Sequence, residues 1–353
     1  MIHFYIHPYF WPRAPIPETA DVDWPGFGHG IYAWTVQTWL RLSRAGFACT
    51  LTRELPREGI VVAHRECLSP IDGLYEGSVR PTRDRFVVDM CADLDPYPFA
   101  NFHIVQNVYQ ERTLPQCRFV PHWPQPALVA RAPARGDRFE NVGYLGNISN
   151  LPQELRSDEW QASLERAGLR WIERFQRFRF DEPETYATQV GWNDFSQIDA
   201  LVAVREFGLG EHGYRHKPAS KLVNGWMAGV PVVVGLEYQY RHMRRSDLDF
   251  IEVDTVQDAE RALLRLAGDR ELRRAMADNG LQRAREYDPG LLVDRWVEIF
   301  TTAVVPEYAR WRQGSSLARG LSMSRHVAGL RAARARNWIA RRMSRAGIGR
   351  RNT

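Results

Sequence analysis

Lysine is almost missing from this sequence. Only Lys217 and Lys221 occur, four residues apart, while the other 45 basic residues are arginines. No apolar run reaches the roughly 18 residues needed to cross a membrane, and the opening "MIHFYIHPYF" has no basic lead and is broken by Pro8, which argues against a signal peptide. The four cysteines (Cys49, Cys67, Cys91, Cys117) form no CxxC pair. This spacing speaks against a zinc finger or a disulfide framework and for reduced thiols in a cytoplasmic protein. Acidic residues stop at Glu307. Beyond it lie 12 arginines and no carboxylate, so the body, with 35 basic against 42 acidic residues, is mildly acidic and the whole net charge of +5 belongs to the tail. No internal repeat is present.

What is there reads as α/β. "IHFYIH", "ACTLT", "GIVVAH", "DRFVVDM" and "FHIVQN" are short apolar runs of strand type, and "GIYAWTVQTWLRLSRAGF" carries apolar residues at helical spacing up to Gly46. The proline-rich "PHWPQPALVARAPARGD" (residues 121–137) is the best linker. A second alternation follows: "ENVGYLG", "LRWIERF", "IDALVAVR", "VPVVVG" and "DLDFIEV" as strands, the 256–287 stretch as two helices, and "GLLVDRWVEIFTTAVV" as a closing helix. Buried strands separated by crossovers predict two doubly wound, Rossmann-like parallel sheets facing a cleft. The expected domains are 1–130, 131–300, and a closing helix with a basic helical tail over 301–353. In such sheets ligands bind at the carboxyl ends of the strands.

The lysines fall in "HKPASKLVNGWMAGVPVVVG". Pro218 suits the first turn of a helix and Gly229 its end, which sets Lys217 and Lys221 one turn apart beside the positive end of the helix dipole. With Ser220 and Arg205, they form a candidate diphosphate site: a compact ammonium fits a narrow phosphate pocket that a guanidinium fork does not. Solvated helix lysines are the plain alternative. Asp93 and Asp95 ("DLD") resemble a metal-binding Asp-x-Asp, but "DVD" at 21–23 and "DLD" at 247–249 show how common the tripeptide is here, and the reading is metal-independent, with Asp93 on acceptor hydroxyls. Gly28 in "WPGFGHG" offers close backbone approach to substrate, with a simple turn as the alternative, and His29 is a candidate acid–base group with plain surface as the alternative. His103 and Asn107 either line the acceptor side or stabilise structure. Glu237 and Tyr238 follow a strand and can reach a nucleotide.

"PASKLVNGWMAGVPVVVG" resembles the nucleotide-sugar motif of GT-B glycosyltransferases, and about the first 300 residues resemble a bacterial group of retaining-type members of that class. The resemblance implies a GT-B fold and sugar transfer from a nucleotide-diphosphate donor, with no separate cofactor. The acceptor is a glycan or lipid-linked molecule. By position, Lys221 meets the diphosphate and Asn224 stands where many members have a ribose-binding Glu. His216 replaces the first Glu of a paired motif. The loop after the second domain's first strand ("GYLGNISN", with Gly146) lacks the usual basic residue, a charge that Arg205 and Lys217 are expected to supply. These departures keep open a second class: an inactive binding protein on the same fold. The tail predicts a basic amphipathic helix on an anionic membrane, with a disordered tail or nonspecific nucleic-acid contact as alternatives.

Overall fold

The computed structural model describes residues 1–70, 73–175, 191–208 and 214–345. The chain forms two compact units. One contains Met1–Trp123, Arg215–Pro218 and Pro289–Arg342, and the other Pro124–Tyr214 and Ala219–Asp288. The first crossing thus falls at Trp123, earlier than residue 130. The chain returns to the first unit at Pro289, before residue 300.

The first unit holds six parallel strands: β1 (Ile2–Tyr5), β2 (Cys49–Thr52), β3 (Gly59–His64), β4 (Arg85–Ala92), β5 (Phe102–Val105) and β6 (Cys117–Phe119), in the order β2-β1-β3-β4-β5-β6. β3 is buried at every residue, as a central parallel strand covered on both faces must be, whereas the edge strand β2 stays half open. The crossovers include α1 (Gly30–Arg44), α2 (Arg65–Leu68) and α3 (Val108–Thr113).

The second unit holds β7 (Asn141–Gly146), β8 (Arg170–Phe175), β9 (Ala200–Ala203), β10 (Val232–Gly235) and β11 (Ile251–Val253), in the order β11-β10-β9-β7-β8. Its helices are α4 (Asp158–Arg166), α5 (Ser220–Ala228), α6 (Tyr238–Met243), α7 (Val256–Gly268) and α8 (Arg270–Ala284). All pairings in both sheets are parallel. The linker is tied down at the start of this unit. Buried Asp199 receives Arg135 through both carboxylate oxygens, Arg131, and the backbone N–H groups of Glu140 and Asn141. Burial alone would raise the Asp199 pKa, but the arginine and amide donors override it and hold the carboxyl below its usual range.

The closing helix α9 (Pro289–Ile299) runs through a π-turn (Phe300–Val304) into α10 (Val305–Gln313) and then α11 (Ser316–Arg345). Leu292, Trp296, Ile299 and Phe300 join Phe4, Trp34 and Val62 in the first unit's core, which is why the chain's end belongs there. The tail is a helix over its described length, and His326, Leu330 and Ala333 are buried along one stripe of it. Of the readings offered for the tail, the helix is the one that forms, up to Arg345. No described helix is long and apolar enough to cross a membrane.

Candidate functional site

In the second sheet the strand order reverses between β7 and β9. A crevice opens outside the carboxyl ends of the strands at such a reversal, and ligands bind there. Three sequence candidates converge at it: Gly146 ends β7, Arg205 lies just past β9, and Lys221 sits in the first turn of α5. α5 seats closely because Gly225 faces β10. A methyl group there would come within 2.4 Å of Val232 Cγ2. The helix ends, as expected, on left-handed Gly229.

Lys221 reaches over the end of β7, its ammonium 5.3 Å from the centroid of the Tyr144 ring. Gly146 has φ +152°, and a methyl group on it would stand 2.8 Å from Lys221 Cε and 3.1 Å from Nζ. Glycine is needed here both for the backbone angle and to admit the lysine stem. Arg205 is buried and ion-paired with buried Glu237, and Tyr240 Oη accepts from its guanidinium at 3.4 Å. Burial opposes the Arg205 charge, but Glu237 overrides it and raises the pKa further. Glu237 therefore meets Arg205, and Tyr238 beside it opens α6. Asn224 is buried, and its Oδ1 accepts the Gln125 backbone N–H at 3.3 Å. Ser220 is the first residue of α5 and half-buried. The Gly-rich "EFGLGEHGYRH" joins Arg205 to Lys217 in the sequence, and its residues 209–213 lie outside the described residues.

Lys217 departs from the expected picture. The helix begins at Ser220, so Lys217 precedes it and belongs to the first unit, where its ammonium pairs with Asp93. Burial acts to raise the Asp93 carboxyl, but Lys217 overrides this and holds it below the usual value. Asp95 meets Arg334 at 3.3 Å, so both carboxylates of "DLD" face protein cations.

Other first-unit candidates make contacts within the protein. Asn107 caps α3 through Oδ1 and donates from Nδ2 to the Lys217 carbonyl at 2.9 Å, fixing that segment. His103 is wholly enclosed. Its Nδ1–H donates to Asp89 Oδ2 at 3.0 Å, and its Nε2 accepts from His326 Nε2–H at 2.9 Å, leaving no surface for an acceptor. Asp89, Cys91 and His103 are the one cluster of metal-ligating type among the described residues, and the cluster is buried. Gly28 closes a 3-10 turn (Pro25–Gly28). The tight approach in that loop is Gly26 against the Trp24 ring. His29 is a buried cap, not a surface group: Nδ1 accepts the Ile31 N–H at 3.2 Å. Burial, helped by nearby His64, pushes its pKa well down and keeps it neutral.

The sequence reading missed His64 and Glu66. His64 ends β3 and Glu66 follows it in α2, in "GIVVAHRECL", and that position at a strand's carboxyl end was the available signal. Burial lowers His64 to about 4. Burial, with Asp93 adding, raises Glu66 to about 7, a value suited to proton transfer near neutrality. The native state keeps the Glu66 proton from the ordinary 4.5 up to about 7, so folding stability falls as pH rises across that window. Glu66→Gln should remove this slope and be more stable than wild type above pH 7. Urea denaturation at several pH values measures it, and parallel curves for the two proteins would refute the shift.

No protein-family model matches the sequence, and no curated protein matches it. Solved structures do match in fold. AviGT4, a glycosyltransferase involved in avilamycin A biosynthesis, aligns at TM-score 0.50 and 16% identity over 89% of this chain and 98% of its own. Sucrose-phosphate synthase from Thermosynechococcus elongatus aligns at TM-score 0.54 and 11% identity, over 86% and 99%. The fold is GT-B. The two parallel sheets and the helical C-terminal region are those of this glycosyltransferase fold, and the resemblance read from the 217–235 motif agrees with it.

Proposed function

We propose that the protein is a metal-independent glycosyltransferase moving a hexosyl or deoxyhexosyl group from a nucleotide-diphosphate sugar to a glycan or lipid-linked acceptor. The observation that carries this reading is Lys221 lying over Gly146 at the reversal of the second sheet, on a GT-B fold. Breaking the anomeric C–O bond leaves negative charge on the departing diphosphate, and a fixed cation stabilises that charge as it develops. Lys221 is assigned this role. Arg205, matched by Glu237, braces the end of β9 and does not supply the missing charge, and Ser220, Asn224 and Tyr238 line the donor side. Lys217, matched by Asp93, serves mainly to hold its segment. On this reading the protein is cytoplasmic and peripheral on the inner face of the cytoplasmic membrane.

Incubation with a panel of nucleotide sugars should release a nucleoside diphosphate from one of them, with the rate unchanged by EDTA. Loss of turnover with chelator would overturn metal independence. A catalytically inactive nucleotide- or glycan-binding protein is the second reading. It is favoured by Asn224, whose carbonyl is already engaged by Gln125 where a ribose-binding carboxylate is common. Tight nucleotide binding without any turnover would select it.

A further inference from the structure

The outer face of α11 has a composition that a merely solvated helix does not need. The helix docks through Met323, His326, Leu330 and Ala333. His326 is the polar anchor of this stripe, held by His103. Burial and then His103 lower its pKa to about 4, so the anchor stays neutral.

On the opposite side, Leu321 and Ile339 are 18 residues apart, which is five turns at about 3.6 residues per turn, so they share one line along the helix. Leu317, Ala328, Ala332 and Ala335 fall on or beside that line, and all six are exposed, Leu317 at 72% and Leu321 at 51%. Arg325 and Arg336 edge this apolar spine on one side, and Arg331 and Arg342 on the other. Trp338, 59% exposed, lies under the Arg342 guanidinium at 5.0 Å. No acidic residue occurs anywhere on the helix.

An apolar line of this kind is costly in water, and edging arginines without a single carboxylate repel one another unless a negative surface faces them. A bilayer with anionic headgroups meets both needs. Apolar side chains enter the acyl boundary, while arginines reach outward to phosphates along their aliphatic stems, with the tryptophan at headgroup level. We infer that the outer face of α11 is a membrane-binding face for anionic lipid, lying in the interface plane. A second copy of this chain fits less well, because self-pairing would bring arginine edges together. The face belongs to α11 alone and binds whether or not a donor turns over; if the transferase reading holds, it keeps the enzyme beside a lipid-linked acceptor.

Co-sedimentation of the full chain with vesicles tests this. Vesicles of phosphatidylcholine with about 30% phosphatidylglycerol should pellet the protein at least tenfold more strongly than phosphatidylcholine alone. The triple variant R325Q/R331Q/R342Q should weaken partition by on the order of 100-fold, about fivefold per arginine. The pair L321Q/I339Q should weaken it by about tenfold or more, with the melting temperature unchanged because both side chains are exposed. The inference is overturned by three results: equal binding to both vesicle types, partition indifferent to both variants, or a dimer in solution that L321Q/I339Q dissociates. Displacement of the protein from vesicles by single-stranded DNA, with the apolar pair irrelevant, would likewise overturn it in favour of a polyanion surface.

Discussion

Lys221→Ala is expected to lower kcat for sugar transfer by about 10²–10³-fold, the range seen when one fixed group that stabilises developing negative charge is removed. Folding should hardly change. Lys221 is half-buried and contributes a stem against Gly146 and an ammonium above Tyr144, so the stability cost stays within about 1 kcal/mol. The loss should appear in kcat more than in KM, because the charge it meets is largest in the transition state. Lys221→Arg should not restore the rate: the passage over Gly146 is already within contact distance of the lysine stem, and a planar fork needs more room. Initial rates and thermal melts on the three proteins decide the matter. A Lys221→Ala protein with rates within a few-fold of wild type would remove Lys221 from the chemistry.

Glu237→Ala should be the most damaging single change to stability at the site. It leaves the Arg205 guanidinium buried with its carboxylate partner gone, and removing one member of a buried ion pair costs about 3–5 kcal/mol. The double variant Arg205→Ala/Glu237→Ala should be less unstable than the single one, since no isolated charge remains. Chemical denaturation of both single variants, Glu237→Ala and Arg205→Ala, and of the double variant gives the coupling directly. A loss below about 1 kcal/mol for Glu237→Ala would show that the pair is open to water and not enclosed.

Much of the fold is legible in the sequence, because hydrophobic period and helix punctuation are local signals. Gly46 and Gly229 end helices where the spacing said, and "VQDAERALLRLAGDRELRRAMADNG" breaks into α7 and α8. The boundaries of the units were less legible. That Trp296 and Phe300 pack with Trp34 and Phe4 is a long-range fact, and no local pattern encodes it. The second-unit site was legible in type: a lysine at a helix start and a glycine at a strand end point to one crevice. Pairing was not. Lys217 reads like Lys221 in the sequence, but Asp93 claims it, because Asn107 pins its carbonyl from far along the chain. His29 and His103 look like site histidines until burial and their hydrogen bonds are known. Glu66 is the converse. An unremarkable "HRECL" becomes a proton-transfer candidate only once enclosure raises its pKa.

The central claim is that the second unit binds a nucleoside diphosphate against Lys221. A thermal-shift panel of UDP, GDP, dTDP, ADP and CMP on wild type and Lys221→Ala tests it most directly. One nucleoside diphosphate should stabilise the wild-type protein, by about 2.7 kcal/mol at a hundredfold excess over Kd, and should lose most of that effect in the variant. A panel that shifts neither protein, or shifts both equally, would contradict the claim.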